Sequence, residues 1–134
     1  MTKIAVSYQG QLRTKAKHLN SGETIITDAP TDNKGKGEAF SPTDLIASAY
    51  ASCMLTIIGI YCQEHQLEFS NGHADVEKIM TSNPRRIGEL IISIDLSGNN
   101  WTEKEQVKIK NAALACPVAK TVHNELKASI EFNF

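Results

Sequence analysis

The order of apolar and polar positions changes period several times along this chain, and each change predicts a structural boundary. Ile4–Tyr8 alternates apolar with small polar residues, Gln9-Gly10 signals a turn, and Gln11–His18 is set to return antiparallel. Asn20-Ser21-Gly22 marks a second turn before Glu23–Thr27, whose Thr24-Ile25-Ile26-Thr27 run is β-branched throughout. From Asp28 to Phe40 no period survives. Pro30, Gly35, Gly37 and several charges make this a loop, long enough to suspect a function. Ser41-Pro42-Thr43-Asp44 then announces a helix: serine suits the N-cap, proline the first helical position, and Asp44 the acid of a capping box.

From Leu45 to about His65 apolar residues fall on every face, so the pattern predicts a helix surrounded by protein. Leu45–Cys62 carries no charge and reaches the lower length limit of a membrane span. Its dilution by Ala, Ser, Thr and Gly, within a chain otherwise made of short strands, favours a buried central helix. Beyond Asn71-Gly72, His73–Met80 reads as a strand with Ala74, Val76 and Met80 on one side, and Asn83-Pro84 as a turn. Glu89–Leu96 alternates cleanly, with Leu90, Ile92, Ile94 and Leu96 predicted inward. Thr102-x-x-Glu105 is a second capping box, opening a helix with Val107, Ile109, Ala112, Ala113 and Leu114. Pro117 ends that helix and starts another over Val118–Lys127. Ile130, Phe132 and Phe134 against Ser129, Glu131 and Asn133 predict a closing strand. The resulting order, β-β-β-α-β-β-α-α-β, is an α+β arrangement in one domain over residues 1–134. Six short strands and one further helical pair hardly cover an all-round apolar helix, so an obligate homodimer is expected.

Composition narrows the chemistry. With 134 residues, 41% hydrophobic and 22% charged, and a net charge of −1, the chain offers no basic field for nucleic acid or anionic membrane. The N-terminal residues lack an apolar stretch of signal-peptide length, and three cysteines cannot form a closed disulfide framework. Both facts predict a reducing, cytoplasmic setting. No cofactor or metal is expected: no cysteines have metal-ligand spacing, and His18, His65, His73 and His123 are scattered. Two cysteines stand out. Cys53 lies mid-helix in apolar surroundings and reads equally as a core residue. Cys116 precedes Pro117 as a helix N-cap, where the dipole is expected to favour its thiolate. Cys62 lies nine residues beyond Cys53, about 180° round the helix, so it cannot share a site with it.

The segment Ser41-Pro42-Thr43-Asp44-Leu45-Ile46 leading to Cys53, with Ala115-Cys116-Pro117-Val118 far downstream, resembles the OsmC/Ohr family of thiol-dependent peroxidases. Gly10–Thr14 and the Thr27–Phe40 stretch look most like its OsmC-like branch related to YhfA-type proteins. The resemblance implies an intertwined homodimer with central long helices and active sites at the subunit interface. It assigns peroxide attack to Cys53 and resolution, through a Cys53–Cys116 disulfide, to Cys116. An organic hydroperoxide would be the substrate and an external dithiol the reductant. Arg13 matches the family's early-strand arginine by approximate spacing and would hold the Cys53 thiolate and a peroxide oxygen. The chain departs from the pattern at Thr43, where catalytic members carry glutamate ten residues before the helix cysteine. Glu38 or Asp44 would have to replace it. A cleft lined by Met54 and Ile57 would favour alkyl peroxides. The rival reading is a non-catalytic redox-sensing or small-ligand-binding dimer.

Overall fold

A computed structural model describes residues 1–122 and 124–134; His123 lies outside the described residues. The chain divides into two compact units, Met1–Ile46 and Ala47–Phe134.

In the first unit, β1 (Ile4–Gly10), β2 (Arg13–His18) and β3 (Thr24–Asp28) form an antiparallel sheet in sequential order. The first turn falls at Gln11-Leu12 rather than at Gln9-Gly10. Both turn residues take positive φ, and Gly10, also at positive φ, absorbs a register shift before Arg13. Two successive left-handed residues give the twist that antiparallel strands need, and glycine takes the irregular position beside them at least cost. The register sets Arg13 directly across from Asp28. After β3 the chain makes a single 3-10 turn over Thr31–Asn33 and curls back. The amides of Gly35 and Gly37 donate to the carbonyls of Pro30 and Ala29, and that of Asp28 donates to Phe40 O. A Cβ at Gly35 would collide with the Ala29 carbonyl, so only glycine permits this close return.

Helix α1 (Pro42–Glu64) opens with the predicted reciprocal cap: Asp44 N donates to Ser41 Oγ at 3.1 Å, and Ser41 N to the Asp44 carboxylate at 2.9 Å. α1 is apolar and long enough to cross a membrane by length and composition. It nevertheless sets one stripe, Ala47, Tyr50, Ala51, Met54, Ile58 and Cys62, in a packed core. The single chain does not cover this helix on every side: Ile46 and Ile60 remain 44% and 45% exposed.

The second unit carries β4 (His73–Thr81), β5 (Arg86–Asp95) and β6 (Lys127–Asn133) in one sheet. β5 is central, antiparallel to β4 and parallel to β6. The predicted inward set of Leu90, Ile92, Ile94 and Leu96 is fully buried, each residue contributing about 1.5–3 kcal/mol by leaving water. A parallel neighbour needs a long crossover. Helices α2 (Glu103–Leu114) and α3 (Pro117–Thr121) supply it, with Ile109, Ala113 and Cys116 entering the core. α2 begins with its predicted capping box, Glu105 N donating to Thr102 Oγ1 and Thr102 N to the Glu105 carboxylate. Its Val107 and Leu114 face outward. α3 is shorter than predicted, because Lys127 already belongs to β6 and pairs in register with Glu89. Trp101 closes the core below α2, its indole N–H donating to Glu68 O at 2.8 Å.

Candidate functional site

The predicted site residues form two groups, one in each unit. In the second unit, α1 carries Cys53 half-buried, and the crossover carries Cys116 fully buried. Cys53 packs against the core cluster that holds Cys116 and is near enough to raise the pKa of the Cys116 thiol, and both are free thiols. Two local features hold Cys116 in place. Its backbone is extended, as a residue before proline prefers, and its Sγ accepts the Ala119 amide at 3.4 Å. Cys62 lies in the core, its thiol pushed above the ordinary value by burial and then by Glu105.

The expected acidity of Cys116 is corrected. Burial pushes its thiol above the ordinary value, the amides of Ala119 and Val118 act the other way, and the neighbouring Cys53 raises it further. A thiol excluded from water pays desolvation on ionising, and two amides at the start of a five-residue helix do not offset that. Tyr50, one turn before Cys53, also belongs to this group. Its phenol is raised by burial and then by Cys116. The sequence signalled it only as an aromatic on the α1 core stripe. Met54, expected to line an alkyl cleft, is fully buried in the core, whereas Ile57 is half-buried.

In the first unit, Arg13 is held by two carboxylates. Its Nε and Nη2 donate to the two oxygens of Asp28 at 2.7 and 2.8 Å, and Nη2 donates to Glu38 Oε2 at 3.1 Å. Arg13 is thereby held even more firmly protonated, chiefly by Asp28. The Asp28 carboxyl lies below its ordinary value, chiefly through Arg13, and further through the Glu38 amide and the charge of Lys36. Of the two acids weighed as replacements for the family glutamate, Glu38 pairs with Arg13, whereas Asp44 closes the α1 cap. Thr43 Oγ1 lies 3.2 Å from Ser41 Oγ within that cap. Asp28 is the residue that sequence reasoning passed over as the start of a loop. Its available signal was its place at the end of a β-branched strand, opposite an arginine. Arg85 and Arg86 are exposed, as predicted.

The profile of the OsmC-like protein family matches residues 35–131. A crystal structure of a candidate osmotic stress induced and detoxification response protein from Psychrobacter arcticus 273-4 is 48% identical. It covers 99% of this chain and 96% of that one, with a TM-score of 0.93. An OsmC-like protein from Mycoplasma pneumoniae, 16% identical, shares the fold with a TM-score of 0.82 over 99% of this chain and 96% of its own. A Mycoplasma genitalium protein named organic hydroperoxide resistance protein-like is 29% identical over 86 residues, 63% of this chain. The chain thus spans 61% of that relative's length. With the α+β order, the two three-stranded sheets and this profile match together, the chain belongs to the OsmC-like protein family.

Proposed function

We propose that this protein is a cytoplasmic thiol-dependent peroxidase that reduces organic hydroperoxides. The Cys53 thiolate attacks the terminal peroxide oxygen, the O–O bond breaks, and the departing alkoxide takes a proton to leave as alcohol. Cys53 becomes a sulfenic acid. The Cys116 thiolate attacks that sulfur, expelling hydroxide that leaves as water, and the resulting disulfide is reduced by an external dithiol through exchange. Arg13 supplies the permanent cation for the peroxide oxygens and Glu38 the acid partner that Thr43 cannot provide. The observation that carries the reading is the proximity of two free thiols far apart in sequence, Cys116 in the core and Cys53 packed against it. The names of the relatives from M. genitalium and P. arcticus, one for hydroperoxide resistance and one for a detoxification response, support it.

A homodimer goes with this reading, since Ile46 and Ile60 of α1 and Ile4, Val6 and Tyr8 of β1 present apolar surface to water in the single chain. Light scattering at micromolar concentration should give twice the chain mass; a well-folded monomer would refute the dimer. The second reading, a redox-sensing or ligand-binding dimer without turnover, is favoured by Thr43 and by the suppressed ionisation of Cys116. One assay separates the two. With excess dithiol, cumene or tert-butyl hydroperoxide should be consumed over many turnovers; consumption that stops at one equivalent per chain supports the sensor.

A further inference from the structure

The contrast between the two partners of Arg13 carries a consequence for how that arginine is set. Asp28 is 1% exposed, whereas Glu38 is 66% exposed and Arg13 itself 28%. Asp28 takes both Nε and Nη2 in a two-pronged pairing, across strands whose register sets the two residues opposite each other. Its backbone is fixed as well: the Asp28 amide donates to Phe40 O, and the following Ala29 amide to Leu12 O. The Glu38 amide also favours the charged form of its carboxylate. Glu38 offers a single bond from a side chain in solvent. A two-pronged pair with a buried carboxylate is geometrically demanding, and breaking it would leave a charge stranded away from water. A one-bond partner in water exchanges at little cost.

We infer that Asp28 is the positioning residue of Arg13, fixing the guanidinium by its Nε edge, while Glu38 is the exchangeable partner that an incoming oxygen ligand displaces from Nη2. As a role in catalysis this rests on the peroxidase reading; as a statement about the guanidinium it does not. Nη1 has no hydrogen-bond partner among the described residues, so Nη1 and Nη2 together form the edge left to a ligand. The arginine then acts as a preset fork rather than a swinging arm, and the ligand gains its charge without a cost of ordering it.

The chain has only three arginines, Arg13, Arg85 and Arg86, and the latter two are exposed, so their Nε–H signals can be told apart by nitrogen-15 NMR. In the wild type, the Arg13 Nε–H, identified by its loss in R13K, should exchange with water at least about tenfold more slowly than the other two, the scale of a charge-assisted hydrogen bond. D28N should abolish that protection, D28E restore part of it, and E38Q leave it within about threefold. Exchange in the wild type as fast as at Arg85 and Arg86 would overturn the inference without any variant having to fold, and so would protection that survives in folded D28N. In the peroxidase assay, D28N should lower kcat/KM by about tenfold or more, E38Q by less, and D28E should recover part of the loss. Protection lost in D28N while the wild type consumes one equivalent of peroxide would support the anchor and reject the peroxidase. Turnover in the wild type with unchanged kcat/KM in folded D28N would support the peroxidase and reject a role for the anchor in its catalysis.

Discussion

The thiol pair and the arginine group treat ionisation in opposite ways. Around Cys53 and Cys116 the chain withdraws water: Cys116 is fully buried and its thiolate is disfavoured. Around Arg13 it buries a charge too, but supplies the matching one, so Asp28 is driven further towards its ionised form although it is as buried as Cys116. Burial alone therefore predicts nothing about charge state. The partner decides: an apolar shell with two amides leaves a thiol neutral, whereas a two-pronged guanidinium keeps a carboxylate charged. In the proposed cycle, a resolving thiol that ionises reluctantly would attack only the electrophilic sulfenic sulfur beside it, and a fixed cation would be ready before the ligand arrives.

The sharpest way to break this comparison is at the sulfurs. Cys53→Ser should reduce peroxide turnover to background, while Cys116→Ser should spare the first equivalent and leave a sulfenic acid detectable by dimedone labelling. Peptide mapping of the oxidised wild type should find a Cys53–Cys116 disulfide; a Cys53–Cys62 link would contradict the arrangement. Next in size is the core that keeps Cys116 dry. Ile58→Ala, at a fully buried position on the same α1 stripe, should cost about 2–5 kcal/mol in urea unfolding. In the first unit, Gly35→Ala should cost about 1–3 kcal/mol, since the new Cβ must push the Ala29 carbonyl and strand end away.

The two regions should also fail at opposite ends of the pH scale. Asp28 ionises below the ordinary 3.8, so its contribution is complete above that pH and drains away as pH falls through the folded value. Cys116 ionises above the ordinary 9.0, so the benefit of its neutral form is complete below that pH and is lost as pH rises through the folded value. Melting temperatures measured against pH should therefore lose part of their acid-side fall in D28N, Glu89 and Asp95 keeping the rest, and part of their alkaline-side fall in Cys116→Ala. An unchanged acid limb in D28N would remove Asp28 from the account. The smallest effect belongs to the cap shared by neither group: Ser41→Ala should destabilise by about 1 kcal/mol, with peroxide kinetics unaltered.

Local signals were legible because they are written in neighbouring residues. The capping boxes at Ser41–Asp44 and Thr102–Glu105 formed as read. The alternation through Leu90, Ile92, Ile94 and Leu96 was equally reliable, because a strand's two faces repeat every second residue. The turn at Gln11-Leu12 was misplaced by two positions, since Gly10 marks the irregular residue before the turn rather than the turn itself. Family membership was readable too, from cysteines in two recognisable helical contexts.

The sequence by itself determined the order of elements, their caps and the two sulfurs worth watching, because hydrogen bonding along a helix and the pleat of a strand depend on near neighbours. Only the tertiary structure decided that Cys116 is held neutral, that Met54 belongs to the core, and that Asp28 grips Arg13. Those outcomes depend on which distant atoms exclude water or supply a countercharge, and no spacing along the chain encodes that.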